Sequence, residues 1–222
     1  MAFDLGELKK IKSLDVNLLF GYCREARKQL FPSNEPYYDI PSLVIYACLA
    51  FYHIKYNWDS KCIGNNCYVK GDLVLKKGSI SGNSTFVLKQ TISNGIYQFK
   101  FKIINYDYAY MSYYDIGFGI ISSKYYEGAK DILANDAFGE HDTGYVYYGS
   151  KWEKEHFNQS TDYGIKCKLN DIVTMIVDLE KNQLSYKVNE QNLGIAFDEI
   201  PDTEYRVALY LYEKSSKVQL IQ

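Results

Sequence analysis

His141 is the histidine whose neighbours best suit acid–base chemistry, because Glu140 precedes it and Asp142 follows it. A histidine with carboxylates beside it is a combination that general acid–base catalysis uses, in a hydrolase for example. Adjacent residues of a loop, however, point apart into water, whereas catalysis needs groups that converge on one substrate atom. We therefore interpret residues 139–144 as a solvated loop and predict that the chain is not an enzyme.

A zinc site is the second kind of chemistry that the residue types allow. Cys62 and Cys67, with His53 upstream, could supply three ligands. A fourth ligand is missing, and the two cysteines are further apart than in the paired hooks of structural zinc sites. The sequence also lacks the glycine patterns that hold phosphates. We expect no metal and no cofactor, and the five cysteines to be free thiols.

The composition argues against several classes of partner. The 222 residues are 47 % hydrophobic and 23 % charged, with a formal net charge of −2, as in ordinary soluble globular proteins. Such a chain has no general attraction to nucleic acid or to anionic membranes. The longest apolar run, residues 43–52, is too short to span a bilayer. The N-terminal residues lack the basic and apolar regions of a secretory signal, so we expect a cytoplasmic protein.

The first sixty residues and the remainder follow different hydrophobic periods. Apolar residues from Val16 to Leu30 recur at the spacing of one helix face. A second helix, apolar nearly all round, is predicted from near Pro41 to about Trp58. These segments predict an N-terminal α-helical hairpin, residues 1–60, that packs on a larger domain and covers one of its open faces or edges.

From about residue 68 the period is two, as in strands with one buried face. Tyr97, Phe99 and Phe101, for example, alternate with polar residues. Strands are predicted at 73–75, 85–92, 95–104, 114–121, 145–149, 163–169, 172–179, 183–188, 205–212 and 217–221. Short strands without crossover helices predict a mainly β domain, residues 61–222, built as an antiparallel two-sheet sandwich.

Residues 178–197 hold acids, amides and a glycine between two apolar runs, so they could be taken for a substrate-binding loop. Asn and Gly, however, tolerate the positive φ that tight hairpin turns require. We therefore interpret Glu180–Gln183 and Val188–Leu193 as turns between strands.

The order of these segments resembles the C-terminal half of a SPRY domain, the B30.2-related fold. The matching residues are Asp171, Asp178, Leu179, Leu184, Ser185, Asn189, Gly194, Ala196, Phe197, Tyr205, Val207 and Leu209. Upstream, Gly95 resembles the glycine that opens a strand of the family, and residues 116–120 resemble its apolar-glycine strand. The chain differs by having Gln98–Lys100 where the family commonly has Trp-Glu, and Asn170-Asp171 where it commonly has Gly-Asp. The resemblance is to a SPRY domain without a PRY element.

The resemblance implies a SPRY-like (concanavalin-like) sandwich that serves as a binding module and carries no catalytic machinery. Such domains recognise partners through loops at one end of the sandwich, and loops on a rigid scaffold commonly carry binding residues. The loop-rich stretches here are residues 105–114, 122–144 and 151–163. The aromatic residues predicted to bind the partner are Tyr108, Tyr110, Tyr113, Tyr125, Tyr126 and Trp152.

We expect the partner to be another protein that presents a peptide or loop, with the chain acting as an adaptor. A role as substrate receptor of a ubiquitin-ligase complex is an analogy that rests on the family. The alternative from a different class is a lectin-like sandwich that binds glycans. In that case the acids near Asp136–Asp142 and Glu199–Glu204 could hold Ca²⁺.

Overall fold

The computed structural model describes residues 56–64, 67–77, 82–105, 116–201 and 204–222. One compact unit spans Tyr56–Gln222. The predicted helical hairpin falls outside the described residues except for its last few positions, and the boundary after residue 60 stays a prediction. Tyr108, Tyr110 and Tyr113 also lie outside the described residues.

The described residues form two antiparallel sheets that pack as a sandwich, so the predicted mainly β fold is confirmed. The strands are β1 Cys67–Lys70, β2 Leu73–Lys76, β3 Thr85–Ile92, β4 Ile96–Asn105, β5 Ile116–Ser122, β6 Gly144–Tyr148, β7 Glu153–His156, β8 Gln159–Asp162, β9 Ile172–Asp178, β10 Gln183–Val188, β11 Gln191–Phe197, β12 Tyr205–Leu211 and β13 Lys217–Ile221. The seven-stranded sheet has the order β1-β2-β13-β4-β9-β10-β11. The six-stranded sheet has the order β3-β12-β5-β6-β7-β8.

The core lies between the sheets because each strand turns alternate side chains inward. In β4, Phe99, Phe101 and Ile103 are buried, whereas Gln98 and Lys100 are exposed, as the period-two pattern predicts. The Phe101 ring meets the Phe118 ring of the opposite sheet at a centroid distance of 5.4 Å. The apolar face read from the sequence is therefore the core face.

The strands predicted at 85–92 and 183–188 have the same bounds in the structure, whereas the strand predicted at 163–169 is not formed. Some of its side chains do point inward in alternation, but its backbone makes only isolated hydrogen bonds to adjacent segments of the protein. Tyr163 N donates to Trp152 O at 2.7 Å, and Cys167 N donates to Gly149 O at 2.7 Å. The alternating hydrophobic pattern therefore predicted a strand at 163–169 although the backbone does not pair as one.

The segment from Ser122 to Gly144, predicted as a loop, contains a helix, α1, at Ser123–Leu133. The loop prediction was wrong, because Tyr126, Ala129 and Leu133 are spaced as one buried helix face. Helix α1 packs on the outer face of the six-stranded sheet in a second apolar cluster. No helix of the described residues is long and apolar enough to cross a membrane.

The chain enters the sandwich along the edge of β3. Lys89 N donates to Asn57 O and Asp59 N donates to Val87 O, both at 2.8 Å, and Trp58 forms a β-bridge with Leu88. The predicted second helix therefore does not reach Trp58. Backbone pairing at this position covers an edge that would otherwise be free to associate.

The turns in the polar stretch 178–197 are confirmed, with one difference. Asn182 (φ 55°) and Asn189 (φ 54°) have the positive φ that was expected of hairpin turns. The second turn, however, is confined to Asn189 and Glu190, because β11 begins at Gln191 and pairs with β10. The stretch is two hairpin turns and two strands, β10 and β11, and not a substrate-binding loop.

Candidate partner-binding surface

Several connections meet at one end of the sandwich. Residues 106–115 link Asn105, the last residue of β4, to Ile116, the first of β5. Asn105 Nδ2 donates to Ser215 O at 3.1 Å, and Gly149 N donates to Ile116 O at 3.1 Å. The β6–β7 and β12–β13 connections therefore lie at the same end as both ends of the 106–115 connection. We call residues 149–152, 163–171 and 212–216, with the junctions at Asn105 and Ile116, the loop end.

Trp152 is the large aromatic side chain that the loop end exposes among the described residues, with 47 % of its surface accessible. Its backbone is left-handed, with φ 52°, a conformation that costs a bulky residue about 1–2 kcal/mol. Trp152 O accepts the 2.7 Å hydrogen bond from Tyr163 N, which helps to hold it there. An exposed indole held in a strained backbone is a feature that binding sites often contain.

A packed cluster of tyrosines, which includes Tyr163 of the loop end, lies next to this surface. Tyr147 meets Tyr163 edge to face at 5.5 Å and Tyr186 at 5.1 Å. The buried Tyr186 hydroxyl donates to Phe118 O at 2.8 Å. Burial, and then the neighbouring Tyr163 and Tyr147, raise the pKa of Tyr186 well above its ordinary value. These phenols are therefore neutral and form a rigid support for the surface.

Cys167 packs against Tyr147 of the same cluster and is a buried cysteine that forms no disulfide. Burial raises its pKa to about 12, a hydrogen bond with the Tyr147 hydroxyl acts in the opposite direction, and the nearby Asp171 adds to the increase. A thiol with this pKa is protonated at neutral pH and is a poor nucleophile. Cys167 therefore contributes packing to the loop end and no chemistry.

Asp171 holds the turn that leads into β9. Its Oδ2 accepts from Lys168 N at 2.7 Å, and its Oδ1 accepts from Asn189 Nδ2 at 3.0 Å. Asn170, in the position where the family commonly has glycine, has φ 69°. Asparagine tolerates this conformation better than most residues, so the departure from the family pattern keeps the same backbone. Leu169 is 43 % exposed on this turn. It was not among the predicted binding residues, because the sequence pattern assigned it to the predicted strand at 163–169.

Tyr125 and Tyr126 do not join Trp152 at the loop end. Helix α1 follows Ser122, the far end of β5 from Ile116, and a strand of this length spans about 20 Å. Tyr126 is fully buried. The structure therefore assigns Tyr126 to the core, and it divides the predicted aromatic cluster between the two ends of β5.

His141 is held by two side chains of its own chain. Tyr125 Oη lies 2.9 Å from Nδ1, and Asp136 Oδ2 lies 3.3 Å from Nε2, an ion-pair separation without the alignment of a hydrogen bond. The flanking Glu140 and Asp142 are exposed. The carboxylate within ion-pair distance of the imidazole is therefore that of Asp136, and not those of the sequence neighbours that suggested acid–base chemistry.

The described residues contain no group of three His, Cys, Asp or Glu side chains placed to hold a metal ion. Cys62 and Cys67 are buried free thiols, whereas His53 lies outside the described residues. Of the acids considered for Ca²⁺, Asp136 is engaged with His141. In the described parts of the chain, the acids considered for Ca²⁺ form no group of three.

Comparison with known proteins places the fold. A family model described as the SPRY domain matches residues 104–222, more than half of the chain. Structural similarity extends further toward the N-terminus. The SPRY domain of human HERC1 has 16 % identity and a TM-score of 0.61, covering 75 % of this chain and 98 % of that one.

Two further solved structures agree with this assignment. The PSpry domain of TRIM65 has 10 % identity and a TM-score of 0.57, covering 76 % of this chain and 92 % of that one. A human SPRY domain has 14 % identity and a TM-score of 0.56, covering 74 % and 96 %. No curated protein matches the chain. From the family match and the two-sheet architecture, we conclude that this chain belongs to the SPRY domain family.

Proposed function

We propose that this chain is a non-catalytic protein-interaction module that binds a peptide or loop of another protein through its loop end. SPRY domains are generally interaction modules without catalytic activity. The observation that carries the proposal is Trp152, an exposed indole on a strained backbone at the end of the sandwich where the connections meet. Tryptophan is enriched among the residues that contribute most to binding free energy at interfaces.

Tyr108, Tyr110 and Tyr113 belong to the connection that starts and ends at the loop end. We include them in the proposed binding surface for that reason. Tyrosine offers a large contact area with one polar group and loses little side-chain entropy on binding, so a cluster of tyrosines beside a tryptophan suits recognition of a peptide. Action as an adaptor in the cytoplasm would be one use of this surface.

The test is affinity capture from a cell lysate with the full chain, followed by mass spectrometry. We expect Trp152→Ala, and separately Tyr108→Ala with Tyr110→Ala, to lose the same partner protein that the wild type captures. The matched control is Ile132→Ala, which removes a 63 % exposed side chain on α1. A hot-spot truncation costs 2 kcal/mol or more, roughly a thirtyfold loss of affinity.

Each variant is first compared with the wild type by thermal unfolding, so that loss of binding is separated from loss of fold. A partner retained by Trp152→Ala and by the double variant would refute the loop end as the binding surface. Capture of glycoconjugates in place of proteins would refute the protein-binding function and support the lectin alternative.

A further inference from the structure

The outer faces of the two sheets differ in what covers them. On the six-stranded sheet, Val87, Ile121, Val146 and Ala208 are buried under α1 and its continuation. On the seven-stranded sheet no described element packs against the outer face, and its outward positions are exposed or half-buried, apart from Thr174. An uncovered face of an antiparallel sheet ordinarily carries polar residues of both signs.

This outer face instead combines lysines with aliphatic residues. The strand registers place the following side chains on it: Tyr68, Lys70, Leu73, Leu75, Ile96, Gln98, Lys100, Lys102, Ile104, Ile172, Thr174, Ile176, Asp178, Gln183, Ser185, Lys187, Ile195, Lys217, Gln219 and Ile221. We call this surface the basic face. Asp178 is the one carboxylate on these strand positions, on a chain whose formal net charge is −2. Negative charge is therefore concentrated elsewhere on the molecule.

An apolar track runs along β9 at the centre of the basic face. Ile172, Thr174 and Ile176 are successive outward residues of this strand. Lys100 of β4 and Lys187 of β10 lie directly opposite Thr174, one on each side. Thr174 is only 5 % exposed although it points outward, because the flanking side chains shield it. The track thus has a lysine on each side at Thr174 and Lys102 beside Ile172, whereas the neutral Gln98 and Ser185 lie beside Ile176.

The lysines of the track have no anionic partner among the described residues. Lys100, Lys102 and Lys187 form no ion pair there, and the carboxylate of Asp178 is occupied elsewhere. Its Oδ1 accepts from Glu180 N and Lys181 N, which closes the β9–β10 turn. Three like charges on adjacent strands repel one another, and an anionic partner would relieve this repulsion.

The dimensions of the track match an α-helix. Lys100 and Lys187 are separated by two strand spacings, about 10 Å, which is close to the diameter of a helix with its side chains. From Ile172 to Asp178 the outward residues of β9 extend over about 20 Å, the length of a helix of about 14 residues, and the apolar part from Ile172 to Ile176 accounts for about 13 Å of it. A helix on this track would place an aliphatic stripe on Ile172 and Ile176, with carboxylates on either side reaching the lysines.

Other occupants fit less well. Tyr68 is the one aromatic among the outward residues, so the face lacks the stacking platform that single-stranded nucleic acids use. The aliphatic side chains lie flat on a sheet and do not project from loops, which disfavours insertion into a bilayer. A second copy of the chain would oppose lysine with lysine.

We propose that the basic face is a second docking surface, which binds an acidic amphipathic helix of a partner protein along β9. It is formed by strands and is separate from the loop end, so the inference does not depend on the proposed function. Helix-in-groove recognition with an apolar anchor stripe is an established mode of peptide binding, and the charged flanks would set its orientation.

The probe is a fluorescent peptide of about 14 residues whose helix presents leucines on one face and glutamates on both sides of them. Binding to the full chain is measured by fluorescence anisotropy at about 0.1 M and about 1 M salt. We expect binding that weakens with salt, and no binding of a peptide with the same composition in scrambled order.

The variant is Lys100→Gln with Lys102→Gln and Lys187→Gln. Its matched control is Lys61→Gln with Lys89→Gln and Lys124→Gln, which removes the same charge from exposed lysines elsewhere. We expect the first triple variant to bind the peptide about tenfold more weakly, from three surface charge pairs, and the control to bind within twofold of the wild type. Circular dichroism verifies that both variants are folded.

Three outcomes would overturn the proposal. The first is absence of peptide binding by the wild type, or equal binding by both triple variants. The second is binding only to vesicles of equal phosphatidylserine and phosphatidylcholine, which would make the face a membrane surface. The third is protection of Lys100, Lys102 and Lys187 from acetic anhydride in the free chain relative to Lys124, which would show that the face is already covered.

Discussion

At the scale of residues, most tyrosines of the described residues are buried or half-buried and serve packing. Tyr126, Tyr186 and Tyr210 are buried almost completely. Their hydroxyls donate to Asp59 Oδ2 at 2.9 Å, Phe118 O at 2.8 Å and Asn83 Oδ1 at 2.7 Å, respectively. A tyrosine can be buried in this way because its ring packs like phenylalanine while its hydroxyl finds a partner.

The pKa of Asp59 shows how a hydrogen bond from a buried tyrosine affects the group that accepts it. Burial acts to raise the pKa of its carboxyl. The hydrogen bonds from Lys61 N and Tyr126 Oη, together with the charges of Lys130 and Lys89, outweigh burial and hold the pKa below its ordinary value. The carboxylate therefore stabilises the fold above the ordinary pKa of about 3.9, and this contribution is lost as the pH falls through the lower folded-state value.

Tyr126→Phe should lower the free energy of unfolding at neutral pH by about 1.5–3 kcal/mol, because a buried hydrogen bond to a charged group is removed. Urea titration measures this change. Without the phenol the folded-state pKa of Asp59 moves toward its ordinary value, so the part of the stability that is lost in acid should be smaller in the variant than in the wild type. Tyr68→Phe, on a 52 % exposed side chain, is the control and should change stability by less than about 0.5 kcal/mol. Equal effects of the two substitutions would contradict this account of Tyr126.

At the scale of elements, β5 shows why the family pattern contains glycine in an apolar strand. A Cβ added at Gly119 would overlap Tyr145 O and approach Phe138 Cε2 to 2.9 Å. A Cβ added at Gly117 would lie 2.7 Å from Val146 Cγ2. The strand is buried on both faces, between the core and the layer under α1. Glycine is needed at positions 117 and 119 because neighbouring atoms approach the backbone closely, and not because the chain turns there.

Gly119→Ala should therefore destabilise the protein by several kcal/mol, because the obstructing atom is backbone and cannot move aside. Gly128→Ala is the matched control on α1, where an added Cβ meets no atom within 4 Å. It should stabilise the protein by up to about 1 kcal/mol, since alanine favours the helix. Thermal unfolding of the two variants measures both changes, and the same sign for both would contradict the packing described for β5.

The elements that the sequence predicted correctly are those in which period and turn chemistry agree. β10 alternates between buried and half-buried residues and is closed at both ends by asparagines with positive φ. β7 and β8 could not be predicted from hydrophobic period, because residues 153–156 and 159–162 are mostly polar and owe their strand form to pairing at the sheet edge. Helix α1 was missed although its buried positions follow a helical spacing.

The candidate site was harder to predict than the fold. Exposed aromatics in connecting segments all look alike in a sequence, because the end of the sandwich on which each connection falls depends on strand order. Trp152 and Tyr125 are 27 positions apart (152 − 125) and lie beyond opposite ends of β5. Only the pairing of β5 with β6 and β12 separates them.

At the scale of the whole molecule, the edge strands β3 and β11 of the sandwich are partly covered by other described segments of the chain. The edge of β3 is paired with residues 57–59. At the edge strand β11, the Tyr163 hydroxyl donates to Gly194 O at 2.7 Å and the Lys154 ammonium donates to Ala196 O. Such coverage discourages association through strand edges.

The central claim, that the loop end contacts the partner, is tested most directly by site-specific photo-crosslinking in cells. A benzophenone amino acid replaces Trp152 in one variant and Ile132 in the other, since both side chains are exposed and lie beyond opposite ends of β5. The account predicts a light-dependent crosslink to a partner protein from position 152 and none to that protein from position 132. A partner that crosslinks from position 132 and not from position 152 would contradict it.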